Sequence, residues 1–418
     1  MFRLEKKIKI PVNKQFSEKY WLVDKADFGT YKINDQKLIG DPDNSPPLSS
    51  KFIFRVNGQE ISYNVPVVFK VNSPIKGDDY RPFNIGNPVY LNPKNSMELI
   101  VNSNKKKLSV DVVSGIENLK TRVHLKVPEG IKVQPEFYDV ELSTKGERKT
   151  FDFNISLPNE KKLISEVYYE ADINGNFYSR ALENIIYDHI TPQTRFPKSD
   201  VSLIKFDINF KANKIAYLMG SGDKVPESLS LVGYEVDLLE KSDININKLE
   251  NYDALIIGVR AFNSDKSLYN IKSQITEYMN GGGNVIVQYN TSRNIDVNKF
   301  APYPFKLSRN RVSQEDAKVE IINKNHEVLN YPNKIKLEDF DGWVQERGLY
   351  FPVSWSDEYQ TVISSNDVGE DPNDGGILIS KVGEGYFVYT SYSWFRQLPA
   401  GVGGAYKIFS NILSLGKK

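Results

Sequence analysis

The feature of this sequence that most constrains its fold is a change of hydrophobic pattern near residue 200. Before it, segments such as "KLSVDVV" (107–113), "TRVHLKV" (121–127) and "FDFNISL" (151–157) alternate apolar and polar residues, which is typical of strands with one buried face. After it, short apolar runs such as "KIAYLMG" (214–220) alternate with segments of helical spacing. The sequence therefore predicts all-β modules followed by an open, mainly parallel sheet with helices on both faces.

Turn signals divide the β region further. Asn57-Gly58 and Asn174-Gly175 each separate two alternating runs, and both residues of such a turn must tolerate a positive φ, so each pair predicts a hairpin. Pro66 predicts an edge strand, because proline cannot donate to a strand ladder. Together these signals predict three domains: a β-sandwich module at 1–82, a second, Ig-like β-sandwich at 83–195, and the parallel-sheet domain at 196–418.

Charge and cysteine content exclude several classes of function. Lys plus Arg (54) balance Asp plus Glu (53), so no overall field would attract nucleic acid or an anionic membrane. No apolar run near the N-terminus is long enough for a signal peptide or a membrane span, and we expect no membrane insertion. The chain contains no cysteine, which excludes disulfides, thiolate metal sites and cysteine nucleophiles.

Two glycine-rich stretches are candidates for phosphate binding. Gly220 and Gly222 follow a strand, and Glu240 ends the next strand about 20 residues later, as in a dinucleotide-binding fingerprint. Val225 stands where that fingerprint needs its third glycine, so a plain tight turn is favoured. The glycines at 281–283 come just after a helical stripe and predict a helix C-cap. We predict no cofactor.

Residues for catalysis or metal binding are sparse. Thr291 and Ser292 follow a strand of the predicted sheet, and His326 is the one histidine of that domain, but no spacing rule links it to Ser292. No two histidines have ligand spacing, and the acidic segment 367–376 lacks the EF-hand pattern, so a solvated turn is predicted there. We therefore assign no catalytic and no metal-binding residue.

A ligand pocket is the remaining candidate, at the carboxyl edge of the sheet. Glu346 and Arg347 beside Trp343 have the composition of a site for a sugar or another small polar ligand, although an ion pair beside a core tryptophan is the alternative. Arginines in such a cleft would bind carboxylates or phosphates. The candidate lining residues are Arg260, Asn290, Ser292, Trp343, Glu346, Arg347, Trp394 and Arg396.

Several longer strings resemble a known family. "YDALIIGVRAFN", "GGGNVIVQYN", "DFDGWVQERGLYF" and "SWFRQLPAGVGGAYKIFSNIL" are similar to the C-terminal part of large LmbE / PIG-L family deacetylases of Bacteroidetes. "EKYWL", "PVVFKV" and "YDHITPQ" resemble the β-sandwich segment that those proteins carry ahead of it. The resemblance covers essentially the whole chain.

The resemblance implies a fold and, in part, a role. It implies β-sandwiches followed by a flavodoxin-like domain of the class I glutamine amidotransferase type, without that enzyme's cysteine. The family's zinc-dependent deacetylase motif, His-Pro-Asp-Asp, is absent, because His124, His189 and His326 are followed by Leu, Ile and Glu. It therefore implies a non-catalytic accessory region that binds a glycan or scaffolds an LmbE-like catalytic domain; the alternative is a hydrolase or other small-ligand enzyme using the Arg-rich pocket. The family also suggests an extracytoplasmic location.

Overall fold

The protein is rich in strands and has more than one domain. A computed structural model describes residues 5–11, 14–26, 29–75 and 77–417. The chain divides into two compact units: the first comprises 1–98, 104–160 and 164–203, and the second comprises 99–103, 161–163 and 204–418. In the described residues no helix is long and apolar enough to cross a membrane.

The first half of the chain is almost entirely β-structure. One short 3-10 helix (Gln36–Leu38) precedes the strands. In chain order the strands are β1 (Ser49–Val56), β2 (Gln59–Pro66), β3 (Val68–Ser73), β4 (Gly77–Pro82), β5 (Val89–Pro93), β6 (Met97–Val101), β7 (Lys105–Ser114), β8 (Leu119–Lys126), β9 (Lys132–Gln134), β10 (Phe137–Leu142), β11 (Arg148–Ser156), β12 (Lys162–Ile173), β13 (Asn176–Tyr178), β14 (Glu183–Ile185), β15 (Gln193–Arg195) and β16 (Asp200–Phe206).

Two of the sheets pack face to face. One has the order β5–β7–β11–β9, and the other has the order β10–β8–β12–β16–β6 with β13 paired to β12. Phe153 of the first sheet contacts Tyr138 and Tyr169 of the second, with ring centroids 5.2 and 5.9 Å apart. Phe153 and Tyr169 are fully buried, so these rings form part of a sandwich core. The β-sandwich predicted from the alternating pattern is confirmed here.

The strands before residue 83 are arranged differently. β1 pairs with β2 and β3 pairs with β4, each as a two-stranded antiparallel sheet. The hairpin predicted at Asn57-Gly58 is confirmed, since both residues have positive φ (51° and 82°). In the described residues these hairpins are separate sheets rather than two layers of a sandwich, because their side chains are mostly exposed instead of facing each other.

The second unit alternates strands and helices. Its strands are β17 (Lys214–Leu218), β18 (Glu235–Leu239), β19 (Ala254–Ile257), β20 (Asn284–Gln288), β21 (Phe305–Leu307), β22 (Arg311–Val312), β23 (Lys318–Ile321), β24 (Gly348–Leu349), β25 (Pro352–Trp355), β26 (Ile363–Asn366), β27 (Ile377–Val382) and β28 (Gly385–Thr390). Its α-helices are α1 (Val225–Leu231), α2 (Ile246–Leu249), α3 (Ala261–Ser264), α4 (Lys272–Asn280), α5 (Trp394–Gln397) and α6 (Gly403–Leu413). Short 3-10 helices occur at Lys241–Asp243, Lys266–Ile271, Val297–Lys299, Glu327–Leu329, Leu337–Phe340 and Asp374–Gly376.

A six-stranded sheet organises this unit, in the order β18–β17–β19–β20–β28–β27. β17, β18, β19, β20 and β28 run parallel, and β27 joins the edge antiparallel to β28. Alternate strand residues, Leu218, Ile257 and Val287 among them, pack with α4 in one core cluster. α6 also contacts β20 but contributes no residue to that cluster. The strands that the sequence predicts in this sheet are confirmed, and so are the three predicted helices, which are α1, α4 and α6.

Between β20 and β27 the chain forms three small antiparallel pairs that the sequence pattern does not reveal. β21 pairs with β25, β22 with β24 and β23 with β26. These strands have two to four residues each, which is too short for an alternation to be recognised. They bring residues 343–351 to the edge of the parallel sheet, since Leu349 N–H donates to Ser391 O at 2.9 Å.

Candidate functional site

The carboxyl ends of β17, β19, β20 and β28 meet at one edge of the sheet because these strands are parallel. Arg260 follows β19 and Tyr289 follows β20, and the Arg260 N–H donates to Tyr289 O at 2.9 Å. Arg260 has a left-handed backbone (φ 58°) at the N-cap of α3, and its side chain is exposed. This edge holds most of the sequence-predicted residues.

Three aromatic rings form the centre of the edge. Tyr289 lies parallel to Tyr350, with centroids 6.3 Å apart and an interplanar angle of 2°. Phe395, at the start of α5, lies 5.4 Å from Tyr289. Tyr289 is 8% exposed, whereas Tyr350 and Phe395 are only partly buried. We call Tyr289, Tyr350 and Phe395 the aromatic patch; sequence analysis missed all three residues.

Charged groups surround the aromatic patch. Arg396 Nε donates to Glu346 Oε1 at 2.7 Å, and its Nη1 also contacts Gln345 Oε1. Burial raises the pKa of the Tyr289 phenol; nearby Arg260 and Arg396 lower it and Glu346 raises it. The Arg396 guanidinium also lies over the Phe395 ring, 5.0 Å from its centre. The edge therefore carries the Glu346–Arg396 ion pair beside aromatic side chains.

The side chain of Gln397 fixes the segment that carries Glu346. It accepts from Val344 N–H at 2.8 Å and donates to the carbonyls of Val344 (2.9 Å) and Glu346 (3.1 Å). Gln397 is fully buried, so these bonds are shielded from water. Gln345 between them has a φ of 66°, a conformation that is uncommon for residues other than glycine and is maintained here by the surrounding bonds.

Three of the predicted lining residues belong to the core instead. Trp343 and Trp394 are 2% and 0% exposed, with rings 5.4 Å apart. Arg347 is 4% exposed, lies over the Trp343 ring, and donates from Nη2 to Ala317 O at 2.8 Å and from Nη1 to Phe340 O. Burial lowers the pKa of Arg347. Trp343 is therefore a core residue, as the ion-pair interpretation supposed, but the predicted pair of Glu346 with Arg347 is not formed, because Arg347 donates to carbonyls and Glu346 pairs with Arg396.

Asn290 and Ser292 lie at the end of β20. Asn290 is fully buried and donates to Gln288 O at 3.0 Å, while its Oδ1 is one of several buried oxygens without a hydrogen-bond partner among the described residues. Two more of these oxygens are Gln288 Oε1, on β20, and Ser393 Oγ, in the segment after β28. Ser292 is half-buried in a loop that Asn263 fixes by bonding Thr291 and Arg293.

The glycine turn after β17 is closed by protein groups. The Asp223 carboxylate accepts from the Tyr217 hydroxyl at 2.7 Å, from Val225 N–H at 3.0 Å and from Val259 N–H at 3.4 Å. A Cβ on Gly220 would lie 2.1 Å from Val259 O, so this glycine is required for close packing of the two loops. Asp223 thus occupies the backbone donors that a pyrophosphate would need, which agrees with the tight-turn interpretation.

His326 is a capping residue. Its Nδ1 accepts from Val328 N–H at 3.1 Å at the start of the 3-10 helix Glu327–Leu329. Burial lowers its pKa, and its side-chain partner is Gln360. No hydrogen bond joins His326 to Ser292 in the part of the chain that the structure describes. Within those residues no three His, Asp or Glu side chains are grouped so that they could hold a metal ion.

A basic groove that sequence analysis missed lies beside the same edge, in the loops after β19 and β20. It encloses about 870 Å³ and is lined by Lys266, Tyr269, Asn270, Lys272, Asn294, Ile295, Asp296, Asn298 and Lys299. The ammonium groups of Lys266 and Lys299 lie 5.6 and 5.5 Å from the Tyr269 ring centre. Lys272 Nζ donates to Asn298 O at 2.7 Å. Three lysines spread over 34 residues of sequence give no local signal of such a cluster.

Comparisons with known proteins leave the chain without an assigned family. No protein-family model matches it, and no curated protein matches it. Among solved structures it is similar to the apo form of the Calx CBD1 domain (5% identity, TM-score 0.19), covering 29% of this chain and 100% of that one. It is also similar to the exo-β-1,4-mannosidase Op5Man5 from Opitutaceae bacterium strain TAV5 (9% identity, TM-score 0.29), covering 49% and 36%. A third similar structure is alpha-2-macroglobulin from Escherichia coli, spanning domain MG7 to the C-terminus. Its sequence identity is 13% and its TM-score 0.20, and the match covers 30% of this chain and 18% of that one. TM-scores this low assign neither fold nor function.

Proposed function

We propose that this chain is a non-catalytic accessory region related to the LmbE / PIG-L deacetylases, whose second unit is a flavodoxin-like, glutamine amidotransferase-like domain that binds a glycan-type ligand. The strand order supports the fold: numbered from β17 along the parallel strands, it is 2-1-3-4-5, the flavodoxin-like order. The lack of cysteine supports a role other than glutamine hydrolysis. On this proposal the second unit has the scaffold of the glutamine amidotransferases without their cysteine nucleophile.

The aromatic patch carries the ligand proposal. Sugar rings present apolar C–H faces that pack on aromatic side chains, and their hydroxyls need both donors and acceptors nearby. Tyr350 and Phe395 supply partly exposed aromatic side chains, and the Glu346–Arg396 pair supplies an acceptor and a donor beside them. A neutral polar ligand fits this balance better than a simple anion, since the nearest guanidinium is already paired with a carboxylate.

Binding to N-acetylglucosamine and its β-1,4-linked oligomers tests this proposal. Calorimetric titration of the purified chain should give saturable binding, and Tyr350→Ala or Phe395→Ala should weaken it at least tenfold by removing ring surface. Tyr386→Ala is the matched control, because Tyr386 is a half-buried tyrosine at the opposite end of β28. Equal binding by all variants, or no binding to any oligomer, would contradict a glycan site on the aromatic patch.

The absence of catalysis is tested separately. The zinc-loaded chain is incubated with the same N-acetylated sugars, and released acetate is measured. We expect no turnover above a zinc-only control. Sustained acetate release that scales with chain concentration would overturn the accessory role without bearing on where the sugar binds.

A second candidate function is binding of an anionic ligand in the basic groove, in place of the Arg-rich pocket expected from sequence. Lys266, Lys272 and Lys299 face one groove with a single carboxylate, Asp296, among its lining residues. Inorganic pyrophosphate should raise the melting temperature, and Lys272→Gln should reduce that rise while the exposed Lys306→Gln does not. Equal shifts for wild type and Lys272→Gln would remove the support for this site.

A further inference from the structure

The β1–β2 hairpin has one face made of uncovered apolar side chains. Register pairs Phe52 with Tyr63 and Phe54 with Ile61, so the large residues of both strands lie on the same side. Their exposures are 49% for Phe52, 51% for Phe54, 52% for Val56, 41% for Ile61, 58% for Tyr63 and 45% for Val65. Ser50 and Gln59 complete this face, which we call the hairpin face; it contains no charged residue.

The opposite side of the same two strands has a different composition. Lys51, Arg55 and Glu60 lie there, and Arg55 is directly opposite Glu60 in the register. This side suits water, whereas the hairpin face does not. The alternation is that of a sheet with one buried and one solvated face, yet every residue of β1 and β2 is exposed.

A hairpin of this kind needs a covering layer. A two-stranded sheet alone is marginally stable in water, and six neighbouring apolar side chains form a patch near the upper end of what a monomer surface leaves uncovered, where such patches are often interaction sites. Phe54 and Tyr63 already pack edge to face at 6.2 Å, so the rings on this face are ordered in one layer.

We propose that the hairpin face is a dimer interface, which packs against the same face of a second copy of this chain. A face without charge is complementary to itself, as a two-fold interface requires. An interface made of two such faces is small, close to the roughly 1,000 Å² in total at which specific interfaces begin, so the dimer should be weak and concentration-dependent. Two such faces stacked as sheets leave Lys51, Arg55 and Glu60 of both copies in solvent.

The oligomeric state of matched variants tests the interface. Sedimentation velocity of the wild type should show a concentration-dependent monomer–dimer equilibrium. Phe54→Asp should shift the dissociation constant at least a hundredfold toward monomer, because the carboxylate would be buried unpaired between the copies. Ile53→Asp is the control: Ile53 is the adjacent residue, is 55% exposed and lies on the opposite side of the strand. It should leave the equilibrium unchanged.

A cross-linking measurement does not depend on the folding of the aspartate variants. Since the chain has no cysteine, Ile61→Cys and Ser62→Cys each introduce a single thiol, on the hairpin face and on the opposite face of β2 respectively. A short bis-maleimide should cross-link Ile61→Cys into dimers and leave Ser62→Cys monomeric. A chain that sediments as a monomer at every concentration, equal cross-linking of both thiols, or a dimer that survives Phe54→Asp would overturn the proposal.

Discussion

Glu346 and Arg396 form the ion pair that joins the segment before β24 to helix α5. Their side chains are 14% and 33% exposed, so the pair is partly shielded from water. We expect a double-mutant cycle with Glu346→Gln and Arg396→Gln to give a coupling free energy of about 0.5–1 kcal/mol, the upper range for partly exposed pairs. Urea unfolding of the four proteins measures it. A coupling indistinguishable from zero would mean that the pair does not stabilise this segment.

Gly404, in the first turn of α6, packs against backbone. A Cβ at this position would lie 1.9 Å from Asp339 O, and neither atom can move without shifting a main chain. Gly404→Ala should therefore lower the free energy of unfolding by about 2–3 kcal/mol. Gly281→Ala is the control, because its added Cβ would meet no atom closer than 3.6 Å. Similar unfolding midpoints for the two variants would contradict this packing.

Asp223 should be required for the turn after β17. Asp223→Ala leaves the buried Tyr217 hydroxyl and two N–H groups without their acceptor, so we expect a loss of about 2–3 kcal/mol in unfolding free energy. The exposed Asp207→Ala serves as the comparison and should change little. In the wild type, calorimetric titration with NAD should give no saturable heat, because Asp223 already accepts from the backbone N–H groups of Val225 and Val259. Saturable NAD binding that disappears in Asp223→Ala would oppose this view.

His326 should make stability depend on pH. Its pKa is lower in the folded protein than the usual value near 6.5, because burial disfavours the charged imidazolium. The unfolded chain then binds more protons, so stability is fully present above pH 6.5 and falls as the pH drops below that value. His326→Asn keeps an acceptor for Val328 N–H and should flatten the change in melting temperature between pH 7.5 and 5.5. If the melting temperature of His326→Asn depends on pH as strongly as that of the wild type, His326 is not the source of the pH dependence.

The sequence predicted the elements of the second unit because its strands are continuous apolar runs with clear ends. Runs such as 284–290 lie in the interior of the sheet. Both faces of such a strand are buried, so its residues are apolar without interruption, and a short uninterrupted apolar run predicts a strand. The strands β21 to β26 could not be predicted, since two to four residues carry no usable period. Their positions follow from tertiary pairing alone.

The candidate site was predicted in part. Arg260, Glu346 and Arg396 lie at the predicted edge because residues after parallel strands and at loop ends are placed there by topology. Trp343, Arg347 and Trp394 were misassigned to the ligand, since composition cannot show that Ala317 and Phe340 supply carbonyls to the guanidinium. Tyr289, Tyr350 and Phe395 come together from three separate segments, and no local pattern links them.

The three hydrogen bonds between the Gln397 side chain and the backbone of Val344 and Glu346 have a kinetic consequence. A segment held in this way is ordered without a ligand, so binding at the proposed glycan site should need no loop rearrangement. Association at the aromatic patch should then proceed in one bimolecular phase whose rate rises linearly with ligand concentration, and affinity differences among sugars should reside in how slowly each one leaves.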